Sequence, residues 1–176
     1  MATGDSKSFG FATELATNIT AQFRDGITAI DKSHGGFDVS GLLAVTAADI
    51  AAVVATGLPI PYVLVTVGNN DVWDEAHHAD FVSNYLAVLD AWHTQFPLAQ
   101  IGCNRPWANG KAGVDLVHTW IDEIVAARSS FVFYGPDEVT LTVPPDNGVT
   151  NYSDGIHPNA AGYHLLAQDW QIRMGL

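Results

Sequence analysis

Ser6, in the run Gly4-Asp5-Ser6, and the pair Asp154 and His157, in Asp154-Gly155-Ile156-His157-Pro158-Asn159, are the residue types of a hydrolytic triad in the chain order serine, acid, histidine. A serine hydroxyl attacks poorly at neutral pH unless a base takes its proton. A neutral imidazole serves as that base when its other nitrogen is held in one tautomer. Asp154 stands three residues before His157, and Gly155 and Pro158 keep the segment out of regular helix, so the carboxylate can turn back onto the ring.

Elements that could position these groups are legible in the apolar pattern. Short β-branched runs at Ile27 to Ile30, Tyr62 to Val67, Ala99 to Cys103 and Phe131 to Tyr134 read as strands. Stretches with helical spacing lie at Phe11 to Phe23, Val39 to Ala55, Asp74 to Phe96, Ala112 to Ala127 and Asn159 to Arg173. Their alternation predicts an α/β fold around a parallel sheet. Phe81, Tyr85, Val88, Leu89 and Trp92 form one apolar stripe, read as core. The connection from Gly135 to Ser153 carries a β-like alternation at Val139 to Val143, which suggests a short extra strand.

Ligands of an open parallel sheet bind beyond the carboxyl ends of its strands. Gly4-Asp5-Ser6, His34-Gly35-Gly36 and Gly68-Asn69-Asn70-Asp71 each follow a strand-like run and so share that edge. Attack on a carbonyl places negative charge on its oxygen, and preorganised donors there are worth roughly 2.7–4 kcal/mol each. The Gly36 amide and the Asn70 side chain are the expected donors, with the Ser6 amide as a third. Asp71 reads as structural, His34 as a candidate pocket residue, and Trp73 and Trp107 as aromatic residues either bordering the cleft or packing.

Composition narrows the field. The 176 residues are 48% hydrophobic and 15% charged, which predicts a single globular domain over residues 1–176. Nineteen acidic against seven basic residues give a net charge of −12, which repels phosphate backbones and argues against a nucleic-acid partner. No apolar run reaches the length of a membrane span. The first residues lack the charged and apolar regions of a secretory signal, as a mature secreted domain also would, so localisation stays open. The single cysteine, Cys103, reads as a buried core thiol. His77, His78, Asp74 and Asp80 have spacings that could gather metal ligands on a helix, but a solvated acidic face is the simpler reading, and no metal is expected.

Taken together, Gly4-Asp5-Ser6, the glycine at position 36, Gly68-x-Asn70-Asp71 and Asp154-x-x-His157-Pro158 resemble the four sequence blocks of the SGNH hydrolases, also called the GDSL lipases and esterases. Each block is weak alone. In order, spread over nearly the whole chain, they reinforce one another. The resemblance implies a flavodoxin-like three-layer α/β/α sandwich, hydrolysis through an acyl-enzyme, and no metal or organic cofactor. It also implies roles: Ser6 as nucleophile, His157 as base, Asp154 as the orienting acid, with Ser6, Gly36 and Asn70 forming the oxyanion hole.

The chain departs from that pattern at its start, where only Met1, Ala2 and Thr3 precede the serine block and the first strand is expected to be truncated. Either the short strand stands between normal neighbours, or another segment such as Val139 to Val143, or a partner chain in a homo-oligomer, fills the slot. The expected substrate is a short-chain ester or an acetylated carbohydrate. The rival reading is a non-catalytic carbohydrate-binding or structural module that keeps the fold.

Overall fold

The computed structural model describes residues 1–7, 28–142 and 150–176. Its centre is a five-stranded, all-parallel sheet in the order β2-β1-β3-β4-β5. The strands are β1 (Ala2–Gly4), β2 (Asp31–Ser33), β3 (Tyr62–Thr66), β4 (Gln100–Arg105) and β5 (Val132–Asp137). The helices are α1 (Val39–Val54), α2 (His78–Gln95), α3 (Val114–Ala127), α4 (Glu138–Thr142) and α5 (Ala160–Met174).

The period of two along each strand divides the core into two layers. Val63 and Val65 of β3 and Ile101 and Cys103 of β4 pack in one cluster with Leu42, Tyr85, Leu89, Trp92, Trp120 and Ile121 from α1, α2 and α3. Leu64 and Ala2 point the other way, into a cluster with Leu166, Ala167, Trp170 and Met174 of α5. Trp170 fits because β4 and β5 carry glycines beneath it: a Cβ on Gly102 would lie 2.3 Å from Trp170 Cζ3, and one on Gly135 2.2 Å from its Cη2. The outcome is the expected α/β/α layering.

The first strand is three residues long and is paired on both sides. Ala2, Thr3 and Gly4 match Asp31, Lys32 and Ser33 of β2, and Leu64, Val65 and Thr66 of β3. The short strand therefore stands between ordinary neighbours, and no other segment takes its place.

Two expectations are corrected. The second strand is Asp31–Ser33; of the run expected at Ile27 to Ile30, Ile27 lies outside the described residues, residues 28–30 are not strand, and the Ile30 carbonyl receives the Ala2 N–H at 2.8 Å. The strand itself is polar because it lies at the edge of the described sheet, where apolar patterning is not required. Residues 138–142 form helix α4 where a short strand was expected at Val139 to Val143, of which Val143 lies outside the described residues. Asp137 Oδ1 accepts from the backbone of Val139 at 3.0 Å and Thr140 at 3.2 Å, a cap that overrides the β-branched alternation. The helix expected at Phe11 to Phe23 lies outside the described residues.

Helices α1 and α5 open on capping side chains. Asp38 accepts from Gly41 N at 2.7 Å to open α1, and Asn159 accepts from Ala161 N at 3.0 Å to open α5. Phe81, Tyr85, Val88, Leu89 and Trp92 are all buried, so the α2 stripe is core. Burial pushes the Cys103 thiol up to about 12, which makes it an inert core group.

Candidate active site

Three strand ends meet at the sheet's carboxyl edge. Beyond β1 the Asp5 N–H donates to the Thr66 carbonyl at 2.8 Å, and the Gly4 carbonyl accepts from His34 N at 2.8 Å. These bonds hold the Ser6 segment between the loops after β2 and β3. Gly4 makes the crossing close: its φ is 145°, and a Cβ there would stand 1.8 Å from the Thr66 carbonyl oxygen.

Ser6 Oγ lies 3.0 Å from His157 Nε2, and His157 Nδ1 lies 2.7 Å from Asp154 Oδ2. The turn that sets this up is built by Asp154 itself. Its Oδ1 accepts the backbone N–H groups of Ile156 at 2.9 Å and His157 at 2.7 Å, while Gly155 turns the chain at φ 82°. Tyr152 pairs with Pro158 across the base of the loop, and Ser153 N and Oγ both donate to the His157 carbonyl. A second loop braces the first through the Asn109 N–H, which donates to the Gly155 carbonyl at 3.0 Å.

Electrostatics decide the tautomer. The His157 backbone N–H, followed by its ring and the Ile156 N–H, holds the Asp154 carboxyl well below the usual carboxylate range, so it is ionised and can only accept. Nδ1 therefore carries the hydrogen, which leaves the Nε2 lone pair facing the Ser6 hydroxyl as a hydrogen-bond acceptor. The imidazole and carboxylate are 43% and 53% exposed, so the pair faces solvent and a substrate can reach it.

The expected oxyanion donors lie on the neighbouring loops. Gly36 turns the loop after β2 at φ 81°, while the residue that adjoins the serine is Gly35, where a Cβ would stand 3.8 Å from Ser6 Cβ. The Asn70 side chain donates to the Phe37 carbonyl at 2.9 Å, which ties the loop after β3 to the loop after β2. An amide has two N–H groups, so this bond orients the carboxamide and uses one of them. Asp71 caps α1 from the neighbouring loop, both its oxygens 3.2 Å from Val39 N, as its structural reading anticipates.

His34 bonds Asp49 at 2.7 Å and stacks on Phe37. Trp73 is buried with Nε1 donating to the Gly68 carbonyl at 2.7 Å, and Trp107 packs edge-on against Tyr152, so both are packing residues. His77 turns to Asp74 and His78 to Glu123, two separate carboxylates.

A buried polar cluster behind Ser6 is invisible in the local sequence pattern. Lys7 and Glu138, both inaccessible to solvent, pair at 2.6 Å, and Asn69, Asn104, Tyr152 and Asp5 surround them. The available signal was the lysine next to the serine, at a strand's end where a charged side chain must find a partner or leave the core.

Burial pushes the carboxyls of Asp5 and Asp71 up to about 6, against the opposing pull of the Lys7 and Val39 backbone N–H groups. Both bind a proton more readily folded than unfolded. The folded state thus takes up protons as pH falls from about 6 to about 4 and gains stability there, on the order of 1–3 kcal/mol per group. Groups held low, such as Asp154 and Asp90, contribute above the unfolded carboxylate value and lose that contribution only at lower pH. Urea midpoints are therefore expected to be higher at pH 5 than at pH 7. The difference should shrink in Asp5→Asn and Asp71→Asn, and an unchanged difference in both variants would contradict the burial argument.

No protein-family model matches the chain, and no curated protein matches it in sequence. Solved structures do match. An acetylxylan esterase from Geobacillus stearothermophilus superposes with a TM-score of 0.74 at 19% identity, covering 99% of this chain and 93% of that one. A carbohydrate esterase family 3 protein from Talaromyces cellulolyticus gives 0.73 at 17% identity, covering 99% and 94%. A family 3 carbohydrate esterase from Clostridium thermocellum gives 0.71 at 16% identity, covering 98% and 92%. The likeness runs over nearly the full length of each of these proteins, and at these identities it is one of architecture: the chain has their α/β fold, with a five-stranded all-parallel central sheet.

Proposed function

We propose that the protein is a serine-dependent carboxylic ester hydrolase acting on acetylated carbohydrates or other short-chain esters. The observation that carries this reading is the continuous relay from Ser6 Oγ through His157 to Asp154, with separations of 3.0 and 2.7 Å. The fold's likeness to an acetylxylan esterase and to family 3 carbohydrate esterases supports an acetylated sugar as the substrate.

In this reading Ser6 Oγ attacks the acyl carbon as its proton passes to His157 Nε2. Asp154 stabilises the imidazolium that forms. The negative carbonyl oxygen is met by the Ser6 and Gly36 amides and the Asn70 side chain. Collapse breaks the C–O bond, and His157 returns the proton to the departing alcohol. Water then attacks the acyl-serine with His157 again as base, releasing the acid and restoring Ser6.

The test is a panel of acetylated xylose oligomers, acetate, butyrate and octanoate esters, and an acyl thioester. Acetyl esters are expected to show the highest kcat/KM. Preference for octanoate or for the thioester would overturn the substrate assignment.

A further inference from the structure

Lys7 directly follows Ser6, yet its ammonium points away from solvent into a closed set of acceptors. Nζ donates to Glu138 Oε2 at 2.6 Å, to Asn69 Oδ1 at 3.0 Å and to the Trp107 carbonyl, and lies 5.4 Å from the centre of the Tyr152 ring. Glu138 is held in turn by Asn104 Nδ2 at 2.7 Å and the Trp107 N–H at 3.3 Å. Stability alone does not call for such a pair, because apolar residues of similar volume commonly fill a buried ion pair's place without loss. What an ammonium adds is direction, since its three donors can be fixed on two loops and the start of helix α4.

The loop that matters most carries the expected oxyanion amide. Asn69 is clamped at three points: its Oδ1 by Lys7, its Nδ2 by donating to Asp5 Oδ2 at 3.2 Å, and its carbonyl by Lys111 Nζ at 2.6 Å. The next residue is Asn70. We propose that Lys7, with Glu138 neutralising it, is a positioning residue for ester hydrolysis, acting through Asn69 to aim the Asn70 amide at the developing oxyanion. This rests on the esterase reading above.

Such a role differs from plain packing in its kinetics. A residue that aims an oxyanion donor lowers kcat with little effect on KM, and its removal matters less once the donor itself is gone. The experiment measures kcat and KM on a chromogenic acetate ester for the parent, for Lys7→Met/Glu138→Leu, for Asn70→Ala and for their combination. The paired change leaves neither charge buried alone. It is expected to lower kcat about 10- to 100-fold with KM within about threefold, and Asn70→Ala about 100-fold. The combination should fall little below Asn70→Ala alone. If the paired change does not fold, Asn69→Ala takes its place in the same cycle and leaves the Lys7–Glu138 pair intact. Parental kcat in the folded variant, or losses that multiply in the combination, would overturn the positioning role while leaving the esterase reading intact. A parent inactive on every ester overturns both.

Discussion

Ser6→Ala is expected to lower kcat on a chromogenic acetate ester by at least about 10⁴-fold, with the thermal midpoint nearly unchanged. The size follows from the absence of a substitute among the described residues. Ser153 is the other hydroxyl beside His157, and its Oγ is turned to the His157 backbone carbonyl at 3.0 Å rather than to the ring. Without Ser6 the imidazole could at best activate water, without the gain of a nucleophile held in place. The fold should tolerate the change because Asp154 fixes the imidazole through the loop's own hydrogen bonds, independently of the serine. Equal rates for parent and variant would favour the non-catalytic reading of the fold.

Gly4→Ala should be the most damaging single methyl added near the site. The new Cβ would lie 1.8 Å from the Thr66 carbonyl oxygen and 2.5 Å from its carbon, and φ 145° is a region that side chains rarely adopt. Backbone strain and forced separation of β1 from β3 together are expected to cost roughly 3–5 kcal/mol. Against a total stability of about 5–15 kcal/mol, that is a large share, and it empties the folded state only if the parent lies at the low end of that range. The urea midpoint measures it, and a midpoint equal to the parent's would show that β1 can move aside freely. The reason for the sensitivity is local. A central strand of three residues has few bonds to share the distortion, and Ser6 begins two residues beyond.

The parts of this architecture that could be read from sequence are those with a local cause. The run from Tyr62 to Val67 announced a buried central strand because apolar side chains are needed on both faces. The α1 and α5 helices were legible from the helical spacing of Val39 to Ala55 and Asn159 to Arg173. The β2 strand was not, since Asp31-Lys32-Ser33 is held by backbone pairing with β1 and carries no apolar signal. Helix α4 was masked by β-branched residues whose preference a single capping aspartate outweighs.

The site divides in the same way. Ser6, Asp154 and His157 were legible because their chemistry restricts residue type, and the structure brings the three side chains together. Lys7 and Glu138 were not, because they are 131 positions apart and neither residue type suggests burial. The loop after β2 lies between these cases. Two adjacent glycines marked the loop after β2, but only the folded geometry sets Gly35 against Ser6 and leaves Gly36 at the turn.

The most direct test of the central claim is to quench turnover of a chromogenic acetate ester on the millisecond scale and map acetyl groups on the peptides. The account predicts one acetylated residue, Ser6, formed at the rate of the chromophore burst and absent from Ser6→Ala. Turnover that continues at the parental rate in Ser6→Ala, or an acetyl group that forms at the burst rate on another residue while Ser6 stays unmodified, would contradict it.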